Sequence, residues 1–340
     1  MKFGGTSVRD VSTRIHVFKH VRREIAAGYK VLVVVSAMGR AGEPYATDTL
    51  KNLIEYHSSK KEVDRLLACG EIISSIVMSD LFQSNGLKSL SVSPQELGIK
   101  TDANYNNANI LTVFPDRLLE LFEDYDVLVA PGFVGTAPDD SITTLGRGGS
   151  DTSAIALGSA LEAVFVDIYS DVEGVMTADP KLVKDARLLK KISYDNLIRL
   201  AARGAKVIHL KAIDLAKQKK VNLRLRGTMA EHIGTYVVDE SVNTLSLAYQ
   251  NGYSRYDLEN VMLPVECPAL EKQGDGWYGA DLDAETIEAY LTDLGIAFAR
   301  TDNYVRVTWY NQQRNPVEVT FYVDSDKLVE TINFLHYNLI

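Results

Sequence analysis

The feature that most constrains the fold is a nearly continuous apolar run at residues 30–37 (KVLVVVSA), rich in β-branched side chains. A strand of this kind is buried on both faces, which is typical of a parallel sheet covered by helices on its two sides. Similar runs occur at 126–134 and 163–170, and amphipathic helical patterns occur at 11–27, 49–83, 117–122 and 151–161. Strands that alternate with helices predict an α/β layer sandwich with a largely parallel sheet.

A later segment predicts two further helices and a strand. Ser193 precedes a helical pattern at 194–203 and Gly204 follows it, the usual residue types for an N-cap and for the position after a helix. A second helix follows. Residues 221–226 then alternate apolar side chains with Asn222, Arg224 and Arg226. This period of two predicts a strand with one exposed face.

The pattern changes near residue 240, where the chain becomes rich in tyrosine and the strand signals shorten. Strands are predicted at 243–249, 304–310 and 317–323, and helices at 284–293 and 326–335. Short strands mixed with helices indicate a small α+β domain. We therefore predict two domains, 1–240 and 241–340.

Composition excludes several classes of function. The 340 residues carry a net charge of −9, which argues against nucleic-acid or anionic-membrane partners. The two cysteines have no CxxC spacing and fit a reducing cytoplasm. We expect no membrane-spanning run and no signal peptide. The six histidines show no metal-ligand spacing, and there is no G-x-S-x-G nucleophile motif.

Glycine-rich segments follow the predicted strands, and ligands of open α/β sheets bind beyond the carboxyl ends of strands. The first is KFGGTS at residues 2–7. Paired glycines let the backbone approach a phosphate, while Lys2 supplies a positive charge and Thr6 a hydroxyl. The segment is not a Walker A loop. A lysine before two glycines is more often structural, so both interpretations stay open here.

The second segment is GRGGSDTSA at 146–154, which leads into an alanine-rich helix. A glycine loop before a helix N-terminus can bind an anion, and Arg147 can form two parallel hydrogen bonds with a carboxylate. Ser150, Asp151 and Thr152 can equally be capping residues. The spacing differs from that of the dinucleotide-binding fingerprint.

The third segment is SDVEGVMTADP at 170–180, directly after a strand. Its acids can bind a ribose or help hold Mg²⁺, or they can belong to an ordinary turn-forming loop. Lys206 opens a later helix and can reach a phosphate. Glu71 lies in an apolar helical stretch, where burial without a partner would be costly. An ammonium ligand would satisfy Glu71, and so would a protein Lys or Arg.

Taken together and in this order, these segments resemble the aspartokinases of the amino acid kinase superfamily over residues 1 to about 240. The resemblance is carried by KFGGTSV at 2–8, VVSAMGR at 34–40, YATD at 45–48, CGE at 69–71, PGFVG at 131–135, GRGGSDTSA at 146–154, SDVEGVMTADP at 170–180 and GAKVIH at 204–209. GRGGSDTSA with DVEGVMTADP separates aspartokinases from the acetylglutamate, glutamate-5 and uridylate kinases that share the fold.

The resemblance implies an amino acid kinase-like three-layer sandwich with a mainly parallel sheet, followed by a small α+β, ACT-like domain. It also implies an enzyme that transfers the γ-phosphate of ATP to the β-carboxylate of L-aspartate. The product, 4-phospho-L-aspartate, leads to lysine, threonine and methionine. Two alternatives stay open: a non-catalytic regulatory or binding subunit, and a kinase for another acidic amino acid.

Roles for individual residues follow from the same resemblance. The γ-phosphate would be held by Lys2, Gly4 and Gly5. The rest of MgATP would be held by Ser170, Asp171, Met176, Asp179 and Lys206, with Mg²⁺ bound through the phosphates. Arg147 would bind the α-carboxylate of aspartate and Glu71 its α-ammonium. Further substrate hydrogen bonds would come from Thr6, Ser36, Thr47 and Ser150. Asp151 would orient Lys2 or a neighbouring donor. The catalytic set would be Lys2, Arg147, Asp151 and Lys206.

The chain departs from the family pattern at three places. Only Met1 precedes Lys2, so either the start is misassigned or the first strand is nearly lost and Lys2 is poorly anchored. Family members have His-Pro-Arg where this chain has His209, Leu210 and Lys211. Residues 241–340 are too short for two ACT domains and show no effector loop. We interpret them as a shortened regulatory or dimerisation domain that forms a homodimer, and the missing loop argues against feedback by lysine or threonine.

Overall fold

The computed structural model describes residues 1–54, 58–205, 207–242, 244–258, 269–294, 296–311 and 318–340. These residues form two compact units. The first consists of Met1–Val175, Leu188–Ala201 and Lys206–Val242, and the second of Met176–Arg187, Ala202–Ala205 and Asn243–Ile340. Two short segments that precede residue 240 therefore pack with the C-terminal unit. The functional roles of the two domains stay a prediction.

The first unit alternates strands and helices. Its strands are β1 (Lys2–Phe3), β2 (Val31–Val35), β3 (Ser89–Ser91), β4 (Ile99–Thr101), β5 (Ile110–Val113), β6 (Val127–Pro131), β7 (Val134–Thr136), β8 (Ile142–Thr144), β9 (Val166–Ser170), β10 (Lys191–Ser193), β11 (Leu223–Gly227) and β12 (Thr235–Val238). Its helices are α1 (Val11–Ala26), α2 (Thr47–Lys51), α3 (Lys60–Ser84), α4 (Asp116–Asp124), α5 (Gly149–Ala160), α6 (Tyr194–Ala202) and α7 (Leu210–Gln218).

An eight-stranded sheet forms the centre of this unit, in the order β10-β12-β11-β9-β1-β2-β6-β3. All neighbouring pairs are parallel except β11 with β12. Side chains of α1 and α3 share one buried cluster with Val33 and Val35 of β2, and α5 contacts β1, β2 and β9. A smaller sheet, β5-β4-β7-β8, lies beside them. The predicted α/β fold with a mainly parallel sheet is confirmed.

The prediction of a half-exposed strand at 221–226 is wrong. Every residue of β11 is buried, and Arg226 is 1% exposed. β11 lies inside the sheet between β9 and β12, and its side chains are buried on both faces of the sheet. Arg224 and Arg226 are tolerated there because Asp167 of β9 accepts hydrogen bonds from both, at 2.8 and 3.0 Å. A buried ion pair of this kind requires both partners, and no local pattern reveals the second.

Local capping explains the helix boundaries. The pattern at 49–83 predicts one helix, but the described residues form two, α2 and α3. Ser59 and Glu62 form a capping box, in which each side chain accepts a hydrogen bond from the other's backbone N–H, and this starts α3 as a new helix. The Ser193 prediction is confirmed, since its Oγ accepts from the N–H of Asn196 at 3.2 Å.

Among the described residues, α3 is long and apolar enough by length and composition to cross a membrane, contrary to the expectation from run length. Half of its most apolar 18-residue stretch is buried inside the protein. It also contacts β3 and β6 of the sheet. Core helices of soluble proteins meet the same criterion, so this single helix is weak support for a membrane span.

The second unit is built on an antiparallel sheet with helices. Its elements are β13 (Leu245–Leu258), β14 (Leu270–Gln273), β15 (Gly276–Ala280), α8 (Ala284–Asp293), β16 (Phe298–Asn311), β17 (Glu318–Asp324) and α9 (Leu328–Leu339). The strand order is β14-β15-β13-β16-β17. Leu328, Ile332 and Leu335 of α9 share a buried cluster with Val307 of β16 and with Val183 of the earlier segment. This antiparallel α+β unit is consistent with the predicted ACT-like domain.

Candidate active site

Lys2 lies at the centre of the main sheet. Although β1 has two residues, it pairs in parallel with β2 on one side and β9 on the other. The Nζ of Lys2 is 2.7 Å from Oδ1 of Asp151, and both side chains are 12% exposed. Asp151 lies in the first turn of α5. The expectation of a poorly anchored Lys2 is therefore wrong, because sheet pairing and an ion pair hold it from two directions.

The Gly4–Gly5 turn follows Lys2 and starts a 3₁₀ turn, Gly5–Ser7, which includes Thr6. A Cβ added at Gly5 would lie 2.5 Å from the carbonyl oxygens of Ala37 and Gly39, so only glycine fits. A Cβ at Gly4 would lie 3.7 Å from the Lys2 Nζ. The glycine turn thus contacts the Lys2 ammonium through Gly4 and the segment after β2 through Gly5, and the ammonium gives the Gly4 side a positive charge suited to an anion.

The loop that carries Arg147 depends on its glycines. Gly146 and Gly148 both have φ of +72°, the left-handed region that favours glycine. A Cβ at Gly148 would lie 2.4 Å from Cβ of His209, so the loop also packs closely against the start of α7. Arg147 itself is exposed. Among the residues that the structure describes, nothing forms a hydrogen bond or ion pair with its guanidinium, which leaves Arg147 free for an external anion.

Ser150 is placed by a second close approach. A Cβ at Gly132, just after β6, would lie 2.9 Å from Cβ of Ser150 and 3.0 Å from the carbonyl oxygen of Val35. The carboxyl ends of β2 and β6 therefore meet the first turn of α5. The predicted strand at 126–134 is interrupted at this point, where Phe133 has φ of +70° and donates its N–H to Ser153 Oγ at 3.0 Å.

Glu71 is a buried carboxylate that the described residues satisfy only in part. It is 2% exposed, and its Oε1 accepts a hydrogen bond from the N–H of Ala37 at 3.1 Å. Its Oε2 is buried and has no hydrogen-bond partner within the described ranges. Burial raises the pKa of Glu71 to about 8, while the Ala37 bond acts in the opposite direction. Of the two predicted partners, a protein Lys or Arg is not found in the described part of the chain, which favours a ligand cation.

Ala37 connects these groups. Its N–H binds Glu71 and its carbonyl oxygen faces Gly5. Ser36, the preceding residue, donates its N–H to the carbonyl of Phe3 at 3.1 Å, which joins the ends of β1 and β2. A Cβ at Gly70 would lie 2.9 Å from Cβ of Ala37 and 3.0 Å from the carbonyl oxygen of Tyr45, two residues before Thr47. The structure thus brings Lys2, Gly4, Gly5, Ser36, Glu71 and Asp151 into one connected cluster.

The segment at 170–180 is divided between the two units. Ser170 and Asp171 belong to the first, where Asp171 Oδ2 lies 2.7 Å from the Nη2 of Arg40 in an exposed ion pair. Met176 and Asp179 belong to the second, where Asp179 accepts from the Tyr249 hydroxyl at 3.1 Å. Lys206 lies outside the described residues. The binding roles of these residues stay a prediction.

Sequence reasoning missed two polar residues of this cluster. Arg40 lies in the VVSAMGR segment and pairs with Asp171, and its positive charge after a predicted strand is the feature that indicates a polar role. Thr228 binds Ser7 Oγ at 2.7 Å and donates to the carbonyl of Ser170 at 3.1 Å, so it ties the glycine turn to the end of β9. Thr228 carries no local signal, because its partners are remote in sequence.

The raised pKa of Glu71 predicts a pH-dependent stability. Between the ordinary pKa of 4.5 and the folded value of about 8, the folded state holds a proton that the unfolded state has released. The contribution of Glu71 to stability is therefore greatest below pH 4.5 and falls as pH rises to about 8, by up to about 1.4 kcal/mol per pH unit. Glu71→Gln lacks the titration. We expect urea unfolding at pH 5 to 8.5 to show that, as pH rises, the free energy of unfolding of the variant increases relative to that of the wild type. Parallel curves would contradict the burial of a protonated carboxyl.

The comparisons with known proteins agree on one family. The pattern of the Amino acid kinase family matches residues 1–227. Aspartokinase 1 of Bacillus subtilis is 46% identical over 239 residues, covering 69% of this chain and 59% of that protein. The aspartokinase of Bacillus sp. strain MGA3 is 40% identical over 343 residues, covering 99% of this chain and 77% of that protein. The structure of E. coli aspartokinase III, solved with aspartate and ADP, matches this chain with a TM-score of 0.71 and 18% identity. The match covers 99% of this chain and 98% of that protein.

The chain has an α/β fold in which a glycine turn next to Lys2 lies at the strand ends. It belongs to the amino acid kinase family. Within that family, the similar proteins named above are aspartokinases, as the sequence motifs predict. The chain spans 58–59% of the length of the first three relatives it matches. The likeness to the E. coli structure supports the fold alone.

Proposed function

We propose that this protein is an aspartate kinase, which transfers the γ-phosphate of ATP to the β-carboxylate of L-aspartate. One observation carries the proposal: the half-satisfied carboxylate of Glu71 and the glycine turn beside Lys2 both contact Ala37. A buried acid without a protein cation is a suitable partner for the α-ammonium of an amino acid. An ammonium beside paired glycines is suited to a transferring phosphate. The relatives named aspartokinase support the same substrates.

The nucleotide is assigned to the glycine turn. Beside Gly4 the nearest atom to an added Cβ is the Lys2 Nζ at 3.7 Å, so a phosphate oxygen can approach the backbone there and Lys2 neutralises its charge. Ser170 ends β9, the neighbouring strand, and Asp171 follows it; both bind the remainder of the nucleotide. The roles of Met176, Asp179 and Lys206 rest on the family pattern alone. In the described part of the chain, no group of three or more His, Cys, Asp or Glu is suited to a metal ion, so Mg²⁺ would be held mainly through the phosphates.

The amino acid substrate is assigned to two protein side chains of opposite charge, Glu71 and Arg147. Glu71 binds the α-ammonium through its unpaired Oε2, and Arg147, which has no partner among the described residues, binds the α-carboxylate. Further hydrogen bonds come from Thr6, Ser36, Thr47 and Ser150. The proposal requires the β-carboxylate to point toward the phosphate held beside Lys2.

The chemistry needs no general base in this proposal. The β-carboxylate of aspartate is ionised at pH 7, because its pKa is near 3.9. Catalysis consists of aligning it with the γ-phosphate and stabilising the charge that develops during transfer. Asp151 contributes by holding the Lys2 ammonium in place at 2.7 Å. The product is 4-phospho-L-aspartate.

Aspartyl hydroxamate formation tests the proposal directly. The full chain is incubated with L-aspartate, MgATP and hydroxylamine, and the expected result is hydroxamate that depends on all three together with ADP release. Glutamate and longer acidic amino acids in parallel reactions identify a different acceptor. Binding of ATP and aspartate by calorimetry without turnover would instead indicate a non-catalytic subunit and would overturn the proposed activity.

A cytoplasmic location and a homodimer formed through residues 241–340 are parts of the same proposal. The mass of the full chain in solution tests the dimer: twice the mass of one chain is the expected result, and the mass of a single chain would contradict it.

A further inference from the structure

Asp64 of α3 is a fully buried carboxylate with a complete set of partners. Its Oδ2 accepts the backbone N–H groups of Thr144 and Asn106, at 2.8 and 3.0 Å. Its Oδ1 accepts the Thr144 hydroxyl at 2.7 Å and the Asn106 side-chain amide at 2.5 Å. The exposed fraction of Asp64 is 0%. Two separate chain segments are therefore joined at one charged group, where the low dielectric strengthens each hydrogen bond.

Both segments support the loop that carries Arg147. Thr144 ends β8, three residues before Arg147. A Cβ at Gly146 would lie 2.6 Å from Oδ1 of Asn107 and 3.4 Å from the carbonyl oxygen of Asn106, so the other segment lies directly against the glycine before Arg147. The guanidinium has no partner among the described residues, so the position of Arg147 depends on this support of its backbone.

The same helix carries Glu71. Asp64 and Glu71 are seven residues apart, which is two helical turns, so they lie on the same face about 10 Å apart along the axis. One carboxylate is fully satisfied by protein groups, and the other retains a buried unpaired oxygen. The helix α3 thus connects the support of the Arg147 loop to Glu71 through one rigid element.

We propose that Asp64 is a positioning residue that sets the span between Arg147 and Glu71, and with it the affinity for the amino acid substrate. The inference rests on the proposed function, because it treats Arg147 and Glu71 as the two groups that bind a small zwitterion. A displacement of about 1 Å in such a site can lower the rate about 10²-fold. Asp64 touches neither substrate and acts through the loop.

Asp64→Asn is the first test. The amide keeps the size of the side chain, but its NH₂ group replaces one oxygen, and each oxygen accepts from both Thr144 and Asn106, so one hydrogen bond to each residue is lost. We expect the KM for L-aspartate to rise about 10- to 100-fold, with a lower kcat and a KM for ATP within about twofold of wild type. Thr144→Val removes one hydroxyl and leaves the N–H bond, so it should produce a smaller shift in the same direction. This milder variant keeps the test available should Asp64→Asn fold poorly.

Ser79→Ala is the matched control. Ser79 is a buried polar residue of the same helix, and its Oγ forms a hydrogen bond with Ser89 Oγ at 3.1 Å. Its loss lowers the melting temperature without reaching the Arg147 loop. We expect both KM values to stay unchanged. A purely structural role for Asp64 would make Asp64→Asn behave like this control, and that result would overturn the inference.

A double-mutant cycle with Arg147→Ala shows whether Asp64 acts through Arg147. If it does, adding Asp64→Asn to Arg147→Ala weakens aspartate binding little further. Independent, multiplying effects would overturn the inference. Calorimetry with L-aspartate separates the two proposals. Wild-type binding without turnover overturns the kinase activity while the cycle still decides the role of Asp64, and no wild-type binding overturns both.

Discussion

Replacing Lys2 with methionine lowers kcat for aspartate phosphorylation by about 10²–10³-fold, the usual cost of removing one preorganised donor from a site of developing negative charge. The Lys2 ammonium lies beside Gly4, within the turn assigned to the phosphates. Methionine has a similar length and no charge, so the change removes the cation and little packing. Hydroxamate formation at saturating substrates measures the effect.

The control for this prediction concerns Asp151. In Lys2→Met, the Asp151 carboxylate stays 12% exposed and loses its cation, which destabilises the fold. The double variant Lys2→Met/Asp151→Asn removes the stranded charge. We expect it to regain thermal stability and to stay inactive. Wild-type kcat in this double variant would show that the Lys2–Asp151 pair is structural and that the phosphate lies elsewhere.

Glu71→Gln weakens L-aspartate binding by about 10²-fold or more, because loss of one partner of a buried charge pair typically costs 2–5 kcal/mol. It also changes the pH dependence. The pKa of Glu71 is about 8 in the free protein because of its burial, so the carboxyl is protonated at neutral pH and loses its proton when the substrate ammonium binds. The affinity of the wild-type protein should therefore rise by up to about tenfold per pH unit between pH 6 and 8.

Two variants separate the charge effect from a general loss of binding. Glu71→Gln has the same size and cannot titrate, so its weak binding should show no such slope. Arg147→Ala should also weaken binding, yet it retains Glu71 and should keep the slope. Calorimetry at pH 6, 7 and 8 in two buffers of different ionisation enthalpy also counts the released proton. A flat wild-type profile would show that Glu71 does not receive the ammonium.

The amino-acid sequence determined the elements and most of the candidate site. The apolar run at 30–37 predicted a strand covered on both faces, and β2 lies in the middle of the main sheet. Ser193 and Gly204 predicted the bounds of a helix because caps act on neighbouring backbone groups. The apolar stretch around Glu71 indicated that this acid would need a partner if it were buried, and it is buried. Each of these inferences depends on hydrophobic periodicity or hydrogen bonds within a few residues, and such information is local.

Tertiary structure alone decided which remote groups meet. Asp167 faces Arg224 across two adjacent strands, and this register turned an apparently exposed strand into a buried one. The family resemblance implied that Asp151 orients Lys2, but the ion pair itself forms only because α5 crosses the sheet beside β1. Asp64 meets Thr144 only because α3 packs beside β8. Strand order and helix crossing depend on packing between residues far apart in the sequence, and a short segment carries no information about those contacts.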